Sequence, residues 1–194
     1  EGLAHVRNNP VLLGLLALAT LPSLLAAESI TAMMPIFATE VLGVGAQGMG
    51  FLLSANGLGA IAAALFISYL GSVHRKGWII IGTSVAYGVL LIAFSASSWY
   101  GVSLLVLVAL GVMSVVSNTL INTSIQLTAS DKLRGRVMGV HSLGTLGVRS
   151  FNGPLIGGFA SAVGAPLALG VLGGAVALAV LAIAVLSPQG RRLD

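Results

Sequence analysis

Ser114-Val115-Val116-Ser117-Asn118-Thr119-Leu120-Ile121-Asn122-Thr123-Ser124-Ile125-Gln126, then Asp131-Lys132-Leu133-Arg134-Gly135-Arg136, then a glycine-rich run to Asn152, is the stretch on which the chain turns. Ser114, Asn118, Asn122 and Gln126 recur every four residues, which sets them on one slowly rotating face of a helix. A short basic loop follows. A second helix then carries a lone arginine, Arg149. Two apolar helices joined by a basic loop read as a membrane hairpin, and most of the chain's intramembrane polarity lies on it.

Outward from this hairpin the apolar pattern repeats. A helix needs about 20 apolar residues to cross a bilayer. Six segments approach or exceed that length, at 11–39, 48–70, 77–94, 101–128, 137–162 and 167–186. The first contains Pro22, Glu28 and Pro35, and a proline frees the carbonyl four residues back, so this helix is expected to bend. Residues 40–47 read as a short connection, and His74-Arg75-Lys76 as a basic turn. Trp99 and Tyr100 suit an interfacial belt, and Gly164-Ala165-Pro166 suits a tight turn. Asn152-Gly153-Pro154 is expected to break the fifth span locally. Gly135-x-x-x-Gly139, Gly153-x-x-x-Gly157 and Gly170-x-x-x-Gly174 are small-residue packing motifs, where helices are expected to approach closely.

Composition agrees. Of 194 residues, 57% are hydrophobic and 7% charged, and the mean hydropathy is +1.04. A soluble domain would be about a quarter charged, so too little charge is present to cover a water-facing surface. The chain reads as an all-α polytopic membrane protein. Residues 77–130 contain no Asp, Glu, Lys or Arg, which does not fit the alternating strands of a barrel. Eight of the nine Lys and Arg residues lie in the N-terminal segment, the second and fourth connections, and the C-terminal tail. That alternation predicts six helices with both termini cytoplasmic. The net charge of +4 is spread over these short runs, so the positives read as topology signals and not as a nucleic-acid surface.

Glu28 is the first candidate for chemistry. A carboxylate in hydrocarbon costs at least about 2.5 kcal/mol on insertion scales, and such residues mark ion or substrate paths. It reads as a proton-coupling or cation-recognising group, or else as a buried carboxylate tied to a partner. Arg149 keeps its proton and needs a counter-charge, so a Glu28–Arg149 pair is expected, with anionic-substrate binding by Arg149 as the alternative. The Ser114, Asn118, Asn122, Gln126 stripe reads equally as a water-lined surface or as a set of interhelical hydrogen bonds. Asn56 and Asn152 are weaker candidates of the same kind. His141, at the start of the fifth span, reads as a packing or interfacial residue. With three scattered histidines and no cysteine, no metal site is expected. No cofactor is expected either, because no glycine run ends as a nucleotide loop does. The motifs of intramembrane serine, zinc and aspartyl proteases are missing, so the chain does not read as an enzyme.

Asn118-Thr119-Leu120-Ile121-Asn122-Thr123 with Leu133-Arg134-Gly135-Arg136-Val137-Met138-Gly139-Val140 resembles helices ten and eleven of the major facilitator superfamily. The likeness is closest to the exporter branch that includes the enterobactin exporter. Pro35-Ile36-Phe37-Ala38, Glu40-Val41-Leu42-Gly43 and Leu155-Ile156-Gly157-Gly158 support it. In the weak repeat of the family's signature loop, Arg75 and Gly77 match. Leu70, His74 and Trp78 depart from it, and Ser130 stands where proline is common.

The resemblance implies the C-terminal six helices of a twelve-helix transporter. Spans one and four would line a central cavity, and spans two and five would face the other half. Glu28, Asn118, Asn122 and Gln126 would then lie toward substrate, with Arg149 near the seam between halves. Arg75, Lys76, Arg134 and Arg136 would act as gating or docking loops. The expectation is a proton-coupled exporter of a small amphipathic molecule, drug-like or siderophore-like, in a bacterial inner membrane. Its partners would be the substrate, the proton, the lipid bilayer, and either an N-terminal six-helix half or a second copy. The alternatives are a non-transporting module that binds a partner or lipid, and an uptake permease.

Overall fold

The computed structural model describes residues 10–26, 29–70 and 75–186, and among them every regular element is helical. In chain order these are α1 (Pro10–Ala26), α2 (Ser29–Ile36), α3 (Gly45–Leu70), α4 (Lys76–Ser95), α5 (Tyr100–Thr128), α6 (Arg134–Ser142), α7 (Val148–Val163) and α8 (Ala165–Leu186). Wider π-helical turns, Phe37–Val41 and Leu143–Gly147, extend α2 and join α6 to α7. Five stretches are long and apolar enough to cross a membrane: Val11–Val41, Gly45–Tyr69, Lys76–Ser95, Tyr100–Thr128 and Ala165–Val185. The expected fifth span is not among these. Residues 134–163 are helical throughout, but in pieces of 9, 5 and 16 residues, with Arg134, Arg136 and Arg149 along them.

Several boundaries follow from local chemistry. Proline at the start of α1 loses only an N–H that had no helical acceptor. α1 continues through Pro22 to Ala26. After Pro35 the turn widens: Leu42 N donates to Phe37 O at 2.8 Å, and Thr39 Oγ1 donates to the Pro35 carbonyl at 2.8 Å. Gly43 then takes φ +62°, a left-handed conformation that glycine adopts without a Cβ clash. Val44 N closes back onto Ala38 O at 2.8 Å. The second span therefore starts at Gly45, not at residue 48, and Glu40 belongs to the end of the first.

The expected break at Asn152-Gly153-Pro154 does not occur. α7 runs through it, because one proline removes a single hydrogen bond. The irregularity lies instead at Leu143–Gly147, a widened turn that contains two glycines, Gly144 and Gly147.

α5 lies at the centre, against α1, α3 and α4, and α8 packs on α1, α4 and α7. Leu15, Met33, Phe37, Ile80, Leu91, Phe94, Leu107 and Ile125 are among the fully buried side chains. Phe37 stacks on Phe94 with ring centroids 4.8 Å apart, fixing the end of the first span to the end of α4.

Lipid tails are as apolar as leucine, so helix association here relies on close packing and hydrogen bonds. α3 and α5 meet backbone to backbone. A Cβ on Gly59 would stand 2.0 Å from Val108 O, and one on Gly111 2.1 Å from Asn56 O. Asn56 Nδ2 donates across the same seam to Leu107 O at 3.3 Å. α3 buries Gly48, Leu52, Ala55, Gly59 and Ala63 along one narrow stripe, while Phe51, Leu58, Ile61, Leu65 and Phe66 remain exposed. α4 and α8 make a second such seam at Gly88 and Gly173, where each missing Cβ would lie 2.7 Å from the other's carbonyl oxygen.

The spaced glycine motifs mostly do not mark these seams. A Cβ at Gly135, Gly139, Gly157 or Gly174 would meet nothing within 4 Å, and among the described glycines of these motifs only Gly170 has a close neighbour, the Ser95 hydroxyl; Gly153 lies outside them.

Candidate functional site

A cavity of about 290 Å³ opens between α1, α4, α5 and the α6 segment. α1 supplies an apolar wall, Leu18, Ala19 and Pro22, with Ser23 beside it. α4 contributes Ser84 and Tyr87. α5 contributes Met113, Ser114, Ser117, Asn118, Ile121 and Asn122, and His141 and Thr145 close the remaining side.

The polar stripe on α5 resolves into separate roles. Ser114, Asn118 and Asn122 line the cavity, and Gln126 does not. Asn118 Nδ2 donates to Ser114 O at 2.8 Å and lies 3.4 Å from Ser114 Oγ. Asn122 Nδ2 donates to Asn118 O at 2.9 Å. These carboxamides are therefore tied to their own helix and not to a neighbour. The interhelical hydrogen bonds are made elsewhere. Ser84 Oγ and Ser117 Oγ meet at 2.8 Å between α4 and α5, buried, and Asn56 binds α5 as described, which gives that asparagine a packing role.

Gln126 lies one turn beyond the cavity. Its carbonyl accepts from Arg134 Nε at 3.1 Å. Arg134 Nη2 also reaches Asp131 Oδ1 at 2.7 Å, and the backbone N–H groups of Leu133 and Arg134 return to Ser130 O at 2.9 and 2.8 Å. Arg134 thus clasps the end of α5 to the start of α6. Arg136 is exposed in the first turn of α6. Arg75 is exposed and caps α4 with φ +58°, a left-handed conformation unusual for a residue with a Cβ. Lys76 begins α4.

The expected Glu28–Arg149 pair lies outside the described residues. Glu28 falls between α1 and α2, and of Arg149 only the backbone position within α7 is described, as for Asn152.

Two spans supply more of the site than expected. Ser84 and Tyr87 bring in α4, and His141, 9% exposed, faces the cavity. Thr145 sits four residues on, in the widened turn, and donates to His141 O at 2.9 Å. The four-residue spacing of His141 and Thr145 is the signal in the sequence that marks this face. Beside it Gly144 admits α1, since a Cβ there would lie 3.0 Å from Thr20 Cγ2.

Residues 1–193 match the family model described as transmembrane secretion effector, one of the major facilitator superfamily. The chain belongs to this family. It is an integral membrane protein of a transporter family. No curated protein and no solved structure matches it. The cavity takes its walls from α1, α4, α5 and the α6 segment.

Proposed function

We propose that this chain is one six-helix half of a secondary active exporter for a small amphipathic molecule, and that the cavity is its share of the substrate path. The observation that carries this is the 290 Å³ cavity walled on one side by Leu18, Ala19 and Pro22 and on the other by Asn118 and Asn122. Such a pairing of apolar and polar walls suits an amphipathic solute. Residues 134–163 form the fifth of six crossings, with both termini cytoplasmic, as the placement of Lys and Arg supports.

One bundle supplies one wall of an alternating path. The other wall comes from an N-terminal six-helix half or a second copy. Arg75, Lys76, Arg134 and Arg136 act at the cytoplasmic ends, in gating or docking. Glu28, with Arg149 as partner, couples transport to protons.

The test is transport in sealed vesicles by the complete two-bundle assembly under an imposed pH gradient. Accumulation that collapses with the gradient is expected, and a gradient-independent result for every solute removes the exporter reading. Glu28→Gln separates coupling from recognition. It is expected to weaken gradient-driven transport more than substrate binding, and equal losses in both remove the coupling role. If the charge-reversed pair Glu28→Arg/Arg149→Glu is no better than either single change, the pairing is wrong.

A further inference from the structure

The widened turn Leu143–Gly147 joins α6 to α7 and borders the cavity through Thr145. A π turn holds one residue more than an α turn, so it acts as a one-residue insertion in an otherwise regular helix. If the turn closes to α geometry while α7 stays in place, every residue of α6 moves on by one position. That is about 100° of rotation and about 1.5 Å of travel along the axis. Each site on α6 is then taken by the next residue in sequence. The sequence of α6 suits both registers. Its buried residues are Val137 and His141. The residues that follow them are Met138, which is apolar, and Ser142, which is polar and exposed in the present register. The step puts an apolar side chain in place of an apolar one, and a hydroxyl in place of the imidazole at the cavity. Where Arg134 now reaches Gln126 O and Asp131, Gly135 would stand, with no side chain to make either contact. Little resists the step at the turn itself. Leu143 is 75% exposed. In a regular helix the Thr145 N–H would donate to His141 O, whereas here the Thr145 hydroxyl donates there at 2.9 Å, and such back-bonding loosens a helix locally.

We propose that Leu143–Gly147 is a register switch: closing from π to α, it turns α6 by one residue, replaces His141 with Ser142 in the cavity wall, and releases the Arg134 clasp at the end of α5. One step thus changes the wall and frees the loop together. The step stands on helix geometry alone, and its use in a transport cycle rests on the substrate-path reading above.

The chain contains no cysteine, so the test places pairs in it. Asn122→Cys is combined in turn with Val140→Cys, His141→Cys and Ser142→Cys. Each pair is linked by the shortest bis-methanethiosulfonate in sealed vesicles holding the complete assembly, and links within this chain are read by mass spectrometry. The His141 position is expected to link fastest, and the Ser142 position faster than the Val140 position, because the step moves α6 in one sense only. Random rocking of the helix would favour both flanking positions alike, and equal rates for them overturn the switch. Two changes at the turn push the equilibrium in opposite directions. Thr145→Val frees the His141 carbonyl for the backbone and is expected to raise the ratio of Ser142 to His141 links about threefold, the worth of one hydrogen bond in a membrane protein. Deleting Leu143 removes the inserted residue, makes the helix regular and holds α6 in its present register. The Ser142 links are then expected to fall to the Val140 level, with the His141 rate unchanged, which shows the fold intact. If the deleted protein does not fold, Thr145→Val decides alone. An unchanged ratio in Thr145→Val overturns the switch. Transport by the protein lacking Leu143 is expected to be lost, and full transport overturns the role of the step in the cycle. Absence of gradient-driven transport by the unaltered assembly removes the substrate-path reading and leaves the switch to be decided by the links.

Discussion

Replacing Gly111 with alanine tests the packing on which α5 depends. The new Cβ would lie 2.1 Å from Asn56 O, 3.0 Å from Ala60 N and 3.1 Å from Asn56 C, all backbone atoms of α3. No rotamer change relieves such a contact. Restoring a 3.0 Å approach to the carbonyl oxygen requires α3 and α5 to part by about 0.9 Å locally. Overpacking of this kind costs about 1–3 kcal/mol. Parting the helices also stretches the 3.3 Å Asn56–Leu107 hydrogen bond, worth about 0.6 kcal/mol in a membrane protein. Alanine's better helix propensity returns about 0.5–1 kcal/mol. The net expectation is a loss of about 1–3 kcal/mol, or roughly 5- to 150-fold in the folding equilibrium. Reversible unfolding in mixed micelles, followed by helical circular dichroism, measures it. Gly174→Ala is the comparator, since its Cβ meets nothing within 4 Å, and it is expected to be neutral or slightly stabilising. If Gly111→Ala is as stable as Gly174→Ala, the close seam does not exist as described. Gly59→Ala/Gly111→Ala should cost less than the two single changes together, because the first already parts the helices.

Other expectations follow from the same geometry. Ser84→Ala breaks the bond to Ser117 and is expected to cost about 0.6 kcal/mol; Ser84→Ala/Ser117→Ala should cost no more, and additive losses in the same unfolding assay would deny the pair. Asn118→Leu is expected to raise the KM for transport about tenfold, by loss of a group whose hydrogen bond is worth about 1.4 kcal/mol. Gln126→Leu, outside the cavity, should stay within twofold, and the reverse order in vesicle uptake curves would misplace the site. Arg134→Ala loses an exposed ion pair and one bond to a carbonyl, so stability should fall by less than about 1 kcal/mol. Transport should fall several-fold if the clasp works in gating, and unchanged transport removes that role.

Much of the bundle was legible because its signals are local. Apolar length located the ends of α4, α5 and α8 to within about two residues, and Gly164, with φ +88°, turns the chain where Gly164-Ala165-Pro166 said it would. Contacts between spans were not legible in this way. Gly59 and Gly111 stand outside any spaced-glycine motif, yet they make the closest seam, because what matters is which atoms of another helix arrive there. Asn118 and Asn122 were found by their period, but period alone cannot say that their NH₂ groups fold back onto their own helix. Gln126 shares that period and fails as a lining residue, because the cavity ends a turn earlier. Ser84 and Tyr87 were passed over because a single polar residue in an apolar span has no local mark of what it faces, whereas His141 read as a packing or interfacial residue and its four-residue spacing from Thr145 went unused.

The inward-tied carboxamides have one more consequence. In the cycle proposed above, an exporter must return empty, and during that return its walls close on each other without the solute. A wall whose donors waited for a ligand would then strand several buried N–H groups, at about 1–3 kcal/mol each. Asn118 and Asn122 keep theirs satisfied by α5 whether or not a ligand is present. What they expose is oxygen, and a bare carbonyl lone pair is more easily tolerated than a bare N–H. In that proposed cycle the surface would accept hydrogen bonds from a cargo on the outward stroke and still slide past apolar neighbours on the way back.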